Sequence, residues 1–220
     1  MPRTRLDTGR ILAARQLIDP VFLDTPFYRC EALEPRLGCA VNIKLETANP
    51  VRSFKGRGTE VVASLLADAG RRAVVCASAG NLGQALAWSG RTRGVDVTVV
   101  ASRSATTAKL DRIRALGATL ELVDGDHESA RGRAASLARN AGIRLLEDSL
   151  DLETCEGAGM RLLLHHAGLV VEPSAALGLA AVIEDRDRFA GRSVATVVCG
   201  SNVDMAAHRR WTGGAQAREC

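Results

Sequence analysis

Four short, β-branched or apolar runs follow one another along the middle of the chain: Ala73–Cys76, Val95–Val100, Thr119–Val123 and Ile143–Leu146. Their centres lie about 23 residues apart with helical periodicity in the intervals, a pattern that predicts βα units on a parallel sheet. The intervening helices read as Leu82–Arg93, with Asn81 as N-cap, and Ala108–Leu116, stopped by Gly117. A third runs through Ala130–Asn140, with Asp124 and Asp126 able to cap it. Upstream, Val41–Leu45 reads as a strand and Thr59–Asp68 as a helix ending near Gly70. Downstream, Met160–Ala167 and Ala175–Glu184 read as helices, and Val194–Val198 as a buried strand leading into Cys199-Gly200-Ser201-Asn202. From His208 onward, through Gly213-Gly214, no period survives and a frayed tail is expected. Repeats of solenoid type and low-complexity tracts are absent from the sequence.

Composition narrows the classes of function. At 220 residues the chain is one large domain or two small ones. Aromatic residues make up only 3% of it, which argues against base-stacking surfaces for single-stranded nucleic acid. The net charge of +4 comes from dispersed arginines, without a basic block, so no nucleic-acid partner is expected. Apolar runs such as Leu162-Leu163-Leu164 and Leu169-Val170-Val171 are interrupted by His165, His166 and Gly168, so no membrane span is expected. Cys30, Cys39, Cys76, Cys155, Cys199 and Cys220 form no C-x-x-C, and free thiols in a cytoplasmic protein are the expectation, without a metal site. Asp124-Gly125-Asp126-His127-Glu128 lacks metal-ligand spacing and reads as capping, and His165-His166 as solvent or packing positions. Arg3, Arg5, Arg10 and Arg15 are mixed with Asp7 and Asp19 without an apolar core, so a secretory signal is not expected and a transit peptide is the weaker alternative.

Candidate chemistry gathers in four segments. In Glu46-Thr47-Ala48-Asn49-Pro50-Val51-Arg52-Ser53-Phe54-Lys55-Gly56-Arg57-Gly58 a lysine follows an aromatic on a Pro/Gly-punctuated turn. Burial there would disfavour the ammonium and free the amine as a nucleophile. Cys76-Ala77-Ser78-Ala79-Gly80-Asn81-Leu82-Gly83-Gln84 spans a strand end and a helix start, where open α/β sheets bind ligands and helix N–H groups can meet a carboxylate. Taken alone, it is also an ordinary strand–helix turn. The other two segments are Val171-Glu172-Pro173-Ser174-Ala175 and Val198-Cys199-Gly200-Ser201-Asn202. In isolation Glu172 reads as a helix-start acid and Cys199 as a small buried hydrophobe.

In this order the four segments resemble the tryptophan-synthase-β-like, fold type II, pyridoxal-phosphate enzymes, the threonine and serine dehydratases in particular. The resemblance implies pyridoxal 5'-phosphate as cofactor, with Lys55 as catalytic residue joined to it. It places Phe54, Lys55, Asn81, Glu172, Cys199 and Gly200 at the cofactor, and Ser78, Ala79, Gly80 and Asn81 at the substrate carboxylate. Cys199 would face the pyridine nitrogen, where a neutral thiol suits elimination better than transamination. Ala175 and Ser201 stand where glycines are usual, and Ala79 stands where the family's racemases place a serine. The implied fold is α/β, open parallel sheets with flanking helices in two subdomains, the large cofactor subdomain incomplete. Its parts would be residues 1–68, the N-terminal part of the large subdomain, 69–150, the small subdomain, and 151–220, the remnant of the large one. After Gly159 the resemblance jumps downstream, omitting on the order of a hundred residues at ~30 per βα unit. In relatives that stretch includes the glycine-rich loop for the cofactor phosphate. The implied activity is an ammonia-lyase removing the β-hydroxyl of L-threonine or L-serine to give a 2-keto acid and ammonia. The alternative is an internally deleted, inactive relative acting as a binding or interaction module. A β-replacement synthase or amino-acid racemase of the same fold ranks behind both. A small amino-acid substrate and a homodimer follow from the same resemblance.

Overall fold

The computed structural model describes residues 8–147 and 156–212. In chain order the elements are α1 Thr8–Ala14, β1 Phe27–Arg29, α2 Glu34–Leu37, β2 Ala40–Leu45, α3 Lys55–Asp68, β3 Ala73–Ala77, α4 Asn81–Arg93, β4 Asp96–Ser102 and α5 Thr107–Ala115. They continue as β5 Thr119–Val123, α6 His127–Ala141, β6 Arg144–Leu146, α7 Glu156–Ala167, α8 Leu177–Glu184, α9 Arg186–Phe189, β7 Ser193–Val198 and α10 Met205–Thr212. The chain divides into two units, Met1–Asp24 with Lys55–Ser149, and Thr25–Phe54 with Leu150–Cys220.

The first unit holds a four-stranded, wholly parallel sheet in the order β5-β4-β3-β6, as the alternating apolar runs predict. Successive residues of β3 serve opposite faces. Val74 and Cys76 pack with Leu66, Leu82, Leu86 and Ile113, while Val75 packs with Ala130, Ala134 and Ala138 of α6. A parallel sheet covered on both faces needs this double apolar pattern. Alanines four residues apart let α6 lie close to the sheet.

The division falls between Phe54 and Lys55 and not at residue 68, because α3 packs on α4, and residues up to Asp24 pack with them. Helix α3 also begins four residues before the periodicity at Thr59. Its glycines weaken the local helical signal, but Gly56 lies so close to Phe22 that a Cβ would fall inside the ring. At α4, Gly80 is the N-cap and Asn81 the first helical residue, displacing Asn81 from the capping role. Asp126 caps α6 by accepting from the Ser129 N–H at 3.0 Å, whereas Asp124 pairs with Arg103 at 3.0 Å.

The second unit holds a three-stranded sheet, β1-β2-β7, in which β1 is antiparallel and β7 parallel to β2. Val41, Ile43 and Val198 face Leu33, Leu37, Met160, Leu163, Leu179 and Val182. The predicted helix from Ala175 is a 3-10 turn, Pro173–Ala176, followed by α8. The expected fraying from His208 is corrected as far as Thr212: α10 is helical there, with His208 buried, and residues 213–220 lie outside the described residues.

Cys30, Cys39, Cys76 and Cys199 form no disulfide among the described residues; Cys155 and Cys220 lie outside the described residues. The described residues contain no helix long and apolar enough to cross a membrane and no cluster suited to a metal ion.

Candidate active site

Lys55, Ser78, Ala79, Gly80 and Asn81 belong to the first unit. Lys55 is half-buried and opens α3; its carbonyl accepts from Thr59 Oγ1 at 3.2 Å. The same buried hydroxyl lies 2.9 Å from Ser89 Oγ in α4. One residue further along α3, Glu60 Oε2 accepts from Arg93 Nη2 at 2.7 Å and from the Asp19 N–H at 3.2 Å. Arg93 Nη2 also donates to the Leu17 carbonyl at 2.7 Å, and Phe22 meets Trp88 edge to face at 5.0 Å. The connections on either side of β3, residues 69–72 and 78–80, are short, so α3 and α4 each run antiparallel to β3 and parallel to one another. Their N-termini therefore lie at one end of the sheet, the carboxyl end of β3, where open α/β sheets bind ligands. Sequence reasoning missed Glu60 and Arg93, whose only signal was a charge on an otherwise inward-facing helical stripe.

The Ser78–Asn81 loop is shaped by two close approaches. Ser78 Oγ accepts from the Gly80 N–H at 3.2 Å. Gly83 lies against the Ser78 carbonyl so closely that a Cβ would overlap the oxygen. A glycine in the first turn of a helix was the available signal, since Gly there costs stability unless something must come near.

The second unit holds Phe54, Glu172, Cys199 and Gly200. Here a hydrogen-bonded loop, residues 46–54, lies against the end of β7. Asn49 Nδ2 donates to the carbonyls of Glu46 at 2.7 Å and Ser53 at 3.1 Å, and its Oδ1 accepts from the Val51 N–H at 3.1 Å. That loop is laced to the strand end: Phe54 N–H donates to the Cys199 carbonyl at 2.9 Å, Ser201 N–H to the Arg52 carbonyl at 3.1 Å, and Ser53 bridges Gly200. Asn202 Nδ2 donates to the Val51 carbonyl at 2.8 Å. Arg52, with φ of 53°, is the non-glycine residue held in the left-handed region among the described residues, the kind of strain that persists where surrounding contacts over-determine the backbone.

Glu172, Cys199 and Gly200 converge on one another. Glu172 N–H donates to the Gly200 carbonyl at 3.1 Å, and a Cβ on Gly200 would overlap the Glu172 carboxyl. Ser174 Oγ donates to Glu172 Oε1 at 2.9 Å, and Cys199 Sγ donates to Ser174 Oγ at 3.7 Å. Ser174 was not singled out as a site residue. Its proximity to Glu172 was legible only once the Pro173 turn was seen to fold the hydroxyl back.

A protein-family model for pyridoxal-phosphate-dependent enzymes matches residues 18–159. The chain belongs to the pyridoxal-phosphate-dependent enzyme family. The match stops at Gly159, the point at which the sequence resemblance jumps. Human L-serine dehydratase/L-threonine deaminase is 34% identical over 122 residues, covering 56% of this chain and 37% of that protein. The tomato biosynthetic threonine dehydratase 1 is 34% identical over 123 residues, covering 56% of this chain and 20% of the relative. The chain thus spans between a fifth and little more than a third of the length of such relatives, from 20% to 38%. The processed form of tomato threonine deaminase isoform 2 has the same fold, with a TM-score of 0.79 at 17% identity over 96% of this chain and 90% of that one. Membership brings pyridoxal 5'-phosphate as cofactor. Taken one unit at a time, the residues present are of kinds that fit its ring end: the first unit has a primary amine at Lys55 and a loop of small residues at Ser78–Gly80, and the second has a thiol–hydroxyl–carboxylate chain, Cys199–Ser174–Glu172, against a glycine with no room for a Cβ.

Proposed function

We propose that this chain is a pyridoxal-phosphate-dependent ammonia-lyase acting on a small hydroxy amino acid, L-threonine or L-serine. The observation that carries the reading is the placing of Lys55 and the Ser78–Asn81 loop at the same end of one parallel sheet. The names of the dehydratase relatives support the reaction class.

Pyridoxal phosphate, when bound, supplies the electron sink that acidifies the α-hydrogen of the amino acid it carries. Lys55 supplies the amine that anchors it. With the cofactor bound, the Lys55 amine, when free, would take the α-proton at Nζ. The backbone of Ser78, Ala79 and Gly80, at the start of α4, binds the substrate carboxylate, and Asn81 orients the cofactor ring. Phe54 and its role at the cofactor are carried over from the family resemblance. Cys199, Gly200 and Glu172 form the ring-nitrogen side, with a neutral thiol at the nitrogen. Ala79 offers no acid or base on the loop, which favours elimination over racemisation. The β-hydroxyl leaves as water, and a second water releases the nitrogen as ammonia, leaving a 2-keto acid.

The purified protein mixed with cofactor is expected to develop a visible absorbance band that Lys55→Ala abolishes. No band in the unmutated protein overturns the reading. Release of 2-ketobutyrate from threonine, compared with pyruvate from serine, then ranks the substrates; one methyl group separates them by ~1–3 kcal/mol. The short coverage of the relatives favours one second reading, a binding module that has lost catalysis with the segment after Gly159. It predicts cofactor-independent folding with no band.

A further inference from the structure

Ser174 lies in the Pro173–Ala176 turn that leads into α8, between Glu172 and Cys199. Its hydroxyl donates to Glu172 Oε1 at 2.9 Å and accepts from Cys199 Sγ at 3.7 Å. An ionised carboxylate only accepts, so the single hydroxyl hydrogen of Ser174 is committed to Glu172. The Ser174 oxygen then meets Cys199 with lone pairs alone, and the sulfur can bond it only as S–H. The chain from thiol to hydroxyl to carboxylate therefore has one direction. A thiolate at Cys199 would lose that bond and gain a negative neighbour, and both effects disfavour it. Backbone fixes the arrangement across 25 residues of sequence. Glu172 N–H donates to the Gly200 carbonyl and Ala175 N–H to the Glu172 carbonyl, each at 3.1 Å, while Ala175 and Ala176 are buried. Other charged side chains on the neighbouring strand and loops have their own settings. Lys44 Nζ donates to the Thr25 carbonyl at 2.6 Å, Glu46 Oε1 accepts from Thr25 Oγ1 at 2.9 Å, Asp204 accepts from the Ala207 N–H at 2.9 Å, and Arg52 is exposed.

We propose that Ser174 is a positioning residue, which holds Cys199 as a protonated thiol with its S–H turned to the Ser174 oxygen. What this does for the cofactor rests on the proposed function, in which Cys199 stands on the ring-nitrogen side. A sulfur kept neutral brings no negative charge to the nitrogen, so Cys199 does not hold a proton on the ring. Ser174 acts through Cys199 and takes no part in bond breaking itself. Its side chain is exposed within its own unit, so water competes for both of its bonds. The effect is that of one solvated hydrogen bond, a modest bias towards the protonated thiol.

Alkylation of Cys199 by iodoacetamide, followed peptide by peptide in a mass spectrometer from neutral to alkaline pH, tests this without cofactor. Its outcome is therefore separate from the appearance of the absorbance band. Only the thiolate reacts, so the pH midpoint reports how firmly the proton is held, and the alkaline plateau reports access. Ser174→Ala is expected to move the midpoint to lower pH and raise the rate at neutral pH roughly two- to tenfold, with the plateau unchanged. Ser174→Thr, which keeps the hydroxyl, is expected to retain the original midpoint. Glu172→Gln is expected to lower it, because the charge at the end of the chain is gone. Buried Cys30 and Cys39 should stay unlabelled in every variant, which shows that the unit remains folded. A midpoint that Ser174→Ala leaves in place or raises, an equal shift in Ser174→Thr, or a change confined to the plateau would each overturn the proposal.

Discussion

A methyl group added at Gly83 would collide with backbone, the Ser78 carbonyl, whereas one added at Gly200 would collide with the end of the Glu172 side chain. Backbone at a strand end has little freedom to retreat, and a carboxyl on a flexible stem can swing aside. Gly83→Ala is therefore expected to destabilise the chain by roughly 1–3 kcal/mol, and Gly200→Ala by about 1 kcal/mol or less, as read from urea midpoints. Gly200→Ala should instead break the Ser174–Glu172 bond and weaken cofactor binding, so the two glycines separate a structural effect from a site effect. The sequence marked Lys55, Glu172, Cys199 and Gly200 through their neighbours. It did not mark Gly83 or Ser174 as parts of the site, because their importance lies in what stands across a turn from them.

Helices α3 and α4 are joined by an ion pair in which Glu60 is buried and Arg93 partly exposed, with side-chain exposures of 1% and 32%. Removing Arg93 strands a carboxylate inside the unit. Arg93→Ala is expected to cost about 3 kcal/mol, and Glu60→Gln in the same chain to recover most of it, because the amide oxygen still accepts from Asp19 without a charge to bury. Thermal unfolding of the two variants measures both. The strands of both sheets and the central helices were legible as elements, since their periods of 2 and 3.6 follow from which side is buried. The start of α3 and the N-cap of α4 were not. Gly56 fits a helix only because Phe22 lies against it, and Asn81 yields the cap to Gly80 where the loop turns on Ser78.

For the whole molecule, acid should act in two stages. Burial pushes the His208 imidazole below its ordinary value of 6.5. Below that pH the unfolded chain takes up a proton that the folded one resists, so this contribution is present above 6.5 and is lost as the pH falls towards and through the folded value. The Arg29 guanidinium holds the Glu34 carboxyl below its ordinary value, and the Ser129 N–H and hydroxyl do the same for Asp126. Their contributions persist above the ordinary carboxylate values and disappear as the pH falls through the depressed ones. Urea midpoints across pH are expected to decline first below pH 6.5 and again in the carboxylate range, with His208→Leu removing only the first decline. The sequence by itself determined the parallel α/β class, the family and the order of the motifs, because these depend on local periodicity and on residues adjacent in the chain. Tertiary structure alone decided that the chain divides between Phe54 and Lys55, that a buried Glu60 pairs with Arg93 to join α3 to α4, and that β7 is an edge strand among the described residues. Each is a matter of which distant surfaces meet, and no local pattern encodes that.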